Sequence, residues 1–406
     1  MTTRAGTELM SPSPATLVAP LEYSMPGLTV EAVTDAASFG ALQGLWNDLV
    51  EQAGIQHPFV RHEWVGTWWE CFGGKSELHV LLVRDGGEPI ALAPLVLRRA
   101  WLLGVPVRTL EFPWNAHVPR FDVIVARQPD VAYRALWRYL ASHRDLWDVL
   151  QLPVLSRGSR TLQDLPRLAS ADGFIVGTWA SMESPYVPLR GSWDSYQRRL
   201  PRKHRANLRN RFKRLAALGR VELEVIPPDQ MGPAVEDALR IEAAGWKGHA
   251  GTAIACLPAT EAFYTRLAET AGARGWPSLE FLTVGGQRVA FQYNLIYRNR
   301  KYVLKVGHDP RYAKYGPQHL LCCLALESAF VRGLEEYDFL GECEPWKMSW
   351  ARHVHPHTWL FVFPNDFRGR VFHTLKFRAI PALNRTRLYR RLRDLLLFQR
   401  RPRQVP

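Results

Sequence analysis

The chain has 406 residues, too many for one ordinary core, and about 100–200 residues per domain points to two. Hydrophobic residues make up 47% and charged residues 22%, a globular composition that excludes disorder for most of the length. The formal charge of +14 is concentrated, with nine Lys/Arg and no acid in residues 198–214 and twelve with one acid in residues 367–406, so a uniformly basic nucleic-acid binder is excluded.

Residues 1–22 are Pro/Ser-rich without periodicity and read as a flexible tail. Trp64, Trp68 and Trp69 follow at helical spacing beside Phe59 and Phe72, either core or the lining of an acceptor cleft. Two apolar strands, Leu78 to Val83 and Pro89 to Leu95, flank Gly86-Gly87, and the same pattern returns as Leu279 to Val284, Gly285-Gly286 and Arg288 to Leu295. A tight glycine turn between apolar runs is a hairpin signal. In both places a third apolar stretch follows (Val107 to Phe112; Tyr302 to Val306), then a helical segment (Val131 to His143; Gln318 to Arg332), then another strand (Asp148 to Leu152; Tyr337 to Leu340). A β-β-β-α-β unit repeated at about 200 residues is a domain duplication. The predicted fold class is therefore α/β, with two tandem domains at 23–185 and 186–366, each a mixed, mostly antiparallel sheet flanked by helices.

Between the repeats, Ser192 caps a helix carrying Trp193, Tyr196 and Leu200, and Pro201 ends it. A basic helix then runs from about Arg202, with Leu208, Phe212 and Leu215 on one face, to Gly219. Residues 367–406 form a basic segment in which Leu388, Leu392, Leu395 and Leu396 share a helical face among arginines. Such a helix over about 382–400 either contacts an anionic membrane surface or docks on the protein itself.

The five cysteines are odd in number and form no C-x-x-C pair, which points to a reducing compartment. Met1 to Pro20 has no apolar h-region, and no apolar run reaches the ~18 residues of a membrane span, so a cytoplasmic protein, soluble or peripheral, is expected. His353-Val-His-Pro-His357 is the one histidine cluster; no acid or cysteine stands at ligand spacing in sequence, so no metal is expected. There is no G-x-S-x-G elbow.

The strand-to-helix turn from Lys301 to Gln318 carries the clearest chemistry. It offers backbone N–H groups and a positive helix end to a phosphate, with Arg311 and Lys314 adding charge and Gly316 allowing close approach. Alternatively, Gly316-Pro317 only turns the chain into the helix. The equivalent turn of the first repeat, Gln128-Pro129-Asp130, has an acid where phosphate would sit, so donor binding is assigned to the second repeat.

Glu242-Ala-Ala-Gly-Trp-Lys-Gly-His-Ala-Gly-Thr-Ala-Ile254, Gly307-His-Asp309, Tyr315-Gly-Pro317 and Tyr337-Asp-Phe-Leu-Gly-Glu-Cys-Glu-Pro-Trp-Lys-Met-Ser-Trp350 resemble the CelD-type acetyltransferases of the GNAT superfamily. These are in turn similar to the Fem-type aminoacyl-tRNA-dependent transferases. The resemblance implies two GNAT-like domains, the first degenerate, and transfer of an acyl group, acetyl foremost, from acyl-CoA to an amine or hydroxyl. It suggests an envelope or exopolysaccharide precursor as acceptor, at or near the inner membrane surface. Lys347 is then the candidate for stabilising the oxyanion, unless it only pairs with Glu344. Glu242 and Asp309 are candidate bases or structural acceptors, and Tyr315 is a candidate proton donor or a packing residue. Lys305, Gly307, Arg311, Gly316 and Gln318 form the candidate donor-binding set. Two alternatives remain: aminoacyl-tRNA as donor, the one case in which nucleic acid is a partner, and a non-catalytic scaffold binding an anionic surface, motivated by the single glycine of Arg311-Tyr-Ala-Lys-Tyr-Gly316.

Overall fold

The computed structural model describes residues 22–25, 27–102, 104–245 and 253–385. The first repeat comprises β1 (Glu22–Met25), β2 (Leu28–Val33), α1 (Ala36–Ala41), α2 (Gln43–Gln52), α3 (His62–Phe72), β3 (Glu77–Leu78), β4 (Val80–Asp85), β5 (Glu88–Ala93), β6 (Val96–Leu102), β7 (Val105–Glu111), β8 (Ile124–Val125), α4 (Pro129–Ser142), β9 (Val149–Ser156) and α5 (Thr161–Ala171). The long β10 (Ile175–Pro188) leads into α6 (Trp193–Arg199), α7 (Arg202–Ala216), β11 (Val221–Val225), α8 (Met231–Ala243) and α9 (Pro258–Thr270). Then follow β12 (Pro277–Val284), β13 (Gln287–Tyr297), β14 (Arg300–His308), α10 (Pro317–Val331), β15 (Glu336–Asp338), α11 (Pro345–Met348), β16 (His353–Phe363), α12 (Phe367–Thr374) and α13 (Ile380–Arg385). The leucines placed on a basic helical face at 388–396 lie outside the described residues, as do the tail before Glu22 and residues 246–252.

The duplication is visible in backbone detail. Gly86 and Gly87 have φ of 58° and 88°, and Gly285 and Gly286 have 56° and 82°, so both hairpins close with positive φ at both central residues, as a type I′ turn requires. Each also has a register shift just before the turn, at Val83/Arg84 and at Leu282/Thr283. In each repeat one strand pairs in parallel with the strand after its crossover helix: β7 with β9 around α4, and β14 with β15 around α10. The result is a mixed α/β fold of largely antiparallel sheets flanked by helices.

Strand pairing joins the two repeats. An eleven-stranded sheet runs β11-β12-β13-β14-β15-β10-β16-β9-β7-β6-β3, and a five-stranded sheet runs β1-β2-β4-β5-β8. Strand β16, late in the chain, lies between β10 and β9 and pairs antiparallel with both. The core also crosses the repeats. Trp64 and Trp68 of α3 are buried, and Trp64 meets Phe263 of α9 at 5.2 Å between ring centroids, edge to face. Tyr302 of β14 donates its hydroxyl hydrogen to Gln56 O at 2.6 Å. No helix among the described residues is long and apolar enough to cross a membrane.

Candidate active site

Strands β14 and β15 pair only over Arg300–Tyr302 and Glu336–Asp338. Beyond that, β14 continues to His308 along β13, while the other chain turns away at Leu340 and Gly341, both left-handed with φ of 53° and 60°. The two strands thus splay. The wedge between them is a cavity of about 180 Å³ whose walls include Lys305, Leu340, Gly341, Lys347 and Tyr264 from the second repeat and His117 from the first.

Lys347 sits on α11 and is 8% exposed. Its Nζ donates to Leu340 O at 2.9 Å and Glu342 O at 3.3 Å, and lies 3.9 Å from Glu344. It is therefore not a surface ion pair: the half-exposed Glu344 is its most distant partner, and two carbonyls of the left-handed turn hold the ammonium in place. Burial lowers its pKa below the ordinary lysine value. A Cβ on Gly341 would stand 3.1 Å from this Nζ, so glycine there keeps the approach open.

Opposite Lys347, His117 Nδ1 and the Tyr264 hydroxyl lie 3.2 Å apart, joining the two repeats across the cavity. Burial, then the positive charge of Lys305, holds the His117 pKa down to about 4, so the ring is neutral at pH 7. Burial raises the Tyr264 phenol well above its usual range, so it keeps its proton. Lys305 Nζ lies 5.5 Å from the centre of the Tyr264 ring.

The remaining sequence candidates fall into separate places. Glu242, buried at the end of α8, accepts the backbone N–H of Ile254 at 2.9 Å and so anchors the turn that opens the next segment. Asp309 caps the turn Pro310–Tyr315, accepting the Arg311 N–H at 2.9 Å and the Arg311 side chain at 2.6 Å, a partner that holds its carboxyl below the usual range. Asp309 and Arg311 line a different cavity of about 760 Å³, with Glu224, Asp237 and Arg288. Gly307 has a packing role, because a Cβ there would fall 2.4 Å from the Phe291 ring.

Tyr315, Gly316 and Gln318 stand at the start of α10. Gly316 has φ of 62°, and the space a Cβ would need is filled by the Arg211 guanidinium of α7, with Nε at 2.9 Å. Arg211 forms no ion pair among the described residues, so an uncompensated guanidinium lies over a helix N-terminus. Both amide atoms of Gln318, and His319 Nδ1, are buried without a hydrogen-bond partner. Orphaned polar groups beside an unpaired cation fit an anionic group. Arg214 covers the Tyr315 ring at 5.3 Å, which places Tyr315 in the α7–α10 packing and outside the wedge lining.

Sequence reasoning missed His117, Tyr264 and Arg211, since none stands in a motif. It also missed the partners of the histidine strand. His355 Nε2 lies 3.2 Å from Glu336 and 3.9 Å from Asp338 of β15, two acids far away in sequence. Among the described residues these three form the one metal-compatible cluster. The cluster is already supplied with cations, because Arg120 bonds Asp338 and Arg300 lies 3.8 Å from Glu336.

Splayed parallel strands, a capped helix turn and a repeated β-β-β-α-β unit define the class as tandem GNAT-like domains. Residues 202–348 match the family model described as an acetyltransferase (GNAT) domain, about a third of the chain and the part that builds most of the wedge. In fold, the chain is similar to FemX, with 11% identity and a TM-score of 0.54 over 81% of this chain and 98% of that one. It is also similar to the C-terminal domain of a candidate lysylphosphatidylglycerol synthetase from Agrobacterium fabrum, with 12% identity and a TM-score of 0.51 over 83% and 97% of the two chains. A tandem GNAT protein from the clavulanic acid biosynthesis pathway matches with 14% identity and a TM-score of 0.47 over 83% and 100%. No curated protein matches the sequence. The domain match concerns residues 202–348, and the likeness to FemX and to the synthetase domain is one of fold.

Proposed function

We propose that the chain is an acyltransferase that moves an acyl group, acetyl foremost, from acyl-CoA to an amine or hydroxyl acceptor, with the transfer made in the β14–β15 wedge. The observation that carries this reading is the wedge itself: a cavity holding a buried ammonium, with a neutral histidine and a protonated tyrosine from opposite repeats. The donor would be held by its phosphates at the start of α10, by Gly316, Gln318 and Arg211, and supplies the activated carbonyl.

The roles of the chain's own groups follow from their charge states. Lys347, fixed by two carbonyls and desolvated, stabilises negative charge developing on the carbonyl oxygen more strongly than an exposed lysine would. As the acceptor attacks the carbonyl carbon and the bond to the departing group breaks, the acceptor's proton passes to neutral His117, and the hydrogen-bonded Tyr264 delivers a proton to the departing group and is reprotonated from His117. Glu242 acts through position, tying Ile254 near Tyr264, and Asp309 acts by fixing the turn that presents Gly316.

An envelope or exopolysaccharide precursor is the proposed acceptor, as the CelD-type resemblance suggests, and the proposed location is the cytoplasm. Calorimetric titration with acetyl-CoA tests the reading directly. Micromolar binding that Arg211→Ala weakens supports it, and no binding at millimolar donor sinks it.

One observation favours aminoacyl-tRNA as donor instead. The outer face of α7 exposes Arg202, Lys203, Arg209 and Lys213, none of them ion-paired among the described residues, as a phosphate-backbone surface requires. A mobility-shift assay with charged and uncharged tRNA separates the two donors.

A further inference from the structure

Eleven large hydrophobic side chains are exposed among the described residues, and six of them gather at one end of the large sheet. Trp101 (74% exposed) and Val105 stand at the tip of the β6–β7 hairpin. Phe367 (84% exposed), Val371 and Leu375 follow at intervals of four, forming an outer stripe along α12 and the turn after it. Trp179 of β10 lies beside the same helix, with its ring 6.4 Å from Phe377.

These residues meet at one end of the sheet from both of its faces: Ala100 and Leu102 lie in the cluster under α12, with Val105 on the same face, so Trp101 alternates to the opposite face of the hairpin tip. Arg368 of α12 donates to the Pro106 carbonyl at the base of the hairpin tip and lies 3.4 Å from Asp148. The inner side of α12 is occupied, because Phe372 packs with Val107, Val149, Phe361 and Phe363, and Leu102 joins that cluster. Core packing therefore accounts for Phe372 and leaves the stripe at 367, 371 and 375 uncovered among the described residues. Soluble surfaces rarely gather so many large apolar side chains at one end without a partner.

The charge around the patch says which partner. Arg99, Arg370 and Arg378 are exposed and make no ion pair among the described residues. Lys376 Nζ lies 4.2 Å from the Phe361 ring and 5.6 Å from the Trp179 ring. Of the nearby acids, Asp148 is shared by Arg108 and Arg368, and Asp366 caps α12 through the Gly369 N–H. Aromatic and aliphatic side chains projecting from a ring of unpaired guanidinium groups match an interface with an anionic bilayer, where Trp sits at headgroup level and Arg meets phosphate. A second copy of the same face would bring these unpaired cations together and is disfavoured.

We infer that the β6–β7 tip and the outer stripe of α12 form a docking face for an anionic membrane surface. The face is separate from the wedge, and the inference does not depend on which group the wedge transfers.

Full-length protein is sedimented with vesicles of phosphatidylcholine alone and of phosphatidylcholine with phosphatidylglycerol, at low and high salt. The expected result is at least tenfold greater partition onto the anionic vesicles, reduced by salt. The double variant Trp101→Glu/Phe367→Glu, which keeps the basic tail, should lose at least tenfold in partition at unchanged melting temperature and donor affinity. Because both side chains are solvent-exposed, folding should survive, and Trp101→Ser/Phe367→Ser provides an uncharged check. The inference is overturned if wild type ignores the anionic vesicles at low salt, or if both double variants bind them as wild type does. It also falls if light scattering shows the wild type to be a dimer that the substitutions convert to monomers, which would make the face a contact between copies.

Discussion

Arg120 of the first repeat and Asp338 of β15 form an ion pair buried from solvent, Arg120 at 6% exposure and Asp338 at zero. The other oxygen of Asp338 accepts the Leu340 N–H at 2.8 Å, so the same carboxylate holds the wall contributed by residues 116–119 and the left-handed turn under Lys347. Removing one partner of such a pair leaves a buried charge, which costs about 3–5 kcal/mol. Arg120→Met should therefore lower unfolding free energy by about that amount in urea titrations. Adding Asp338→Asn, which keeps an oxygen for Leu340, should recover part of the loss. Additive losses in the double variant would mean that the two side chains are not energetically coupled.

Lys347 is expected to act in the transition state. Lys347→Met retains the buried aliphatic stem but removes the charge, and should lower kcat by about 10²–10³ while donor affinity changes less than threefold. The two carbonyls it now bonds would be left unpaired, so melting temperature must be followed alongside. If turnover of a folded variant is normal, the lysine serves only to brace the turn at Leu340 and Glu342.

What the sequence reveals about this molecule follows the range of each signal. The hairpins at Gly86-Gly87 and Gly285-Gly286, the crossover helices and the basic helix after Pro201 rest on local rules, and they stand where those rules place them. Partnerships across the chain leave no periodic trace. Nothing local tells that His117 meets Tyr264, that Glu336 and Asp338 reach His355, or that β16 inserts between β10 and β9. The candidate site was legible in the same uneven way: motif positions led to Lys347 and Lys305, which share the wedge, and also to Asp309 and Arg311, which bond one another beside another cavity.

The Arg211 guanidinium over Gly316 makes a charge-reversal test of donor binding. Gly316→Asp places a carboxylate against Arg211 and the start of α10, where it pairs with the guanidinium and opposes phosphate. Donor affinity should fall at least tenfold, and Arg211→Ala should weaken it in the same direction. Because φ at this position is 62°, Gly316→Asn separates strain from charge, since asparagine tolerates that conformation and is neutral. Equal affinities for the Asn and Asp variants would place the donor phosphates elsewhere.

His79 gives a prediction about pH that is independent of function. Its ring is 4% exposed, Nε2 lies 3.1 Å from the Tyr139 hydroxyl, and burial lowers its pKa from 6.5 to about 4. The folded state therefore refuses a proton that the unfolded chain accepts. The contribution is fully present above pH 6.5 and is lost as pH falls from 6.5 towards 4. At pH 5.5 the loss amounts to about 1 kcal/mol for this one group. Other buried groups titrate oppositely, notably Glu111, whose pKa burial raises to about 7, so the stability of wild type alone does not isolate the effect. The difference between proteins does. His79→Gln keeps a polar partner for Tyr139 and cannot be protonated, so its stability relative to wild type should improve by about 1 kcal/mol between pH 7.5 and pH 5.5. A difference that stays constant between the two pH values would mean that His79 accepts its proton in the folded protein.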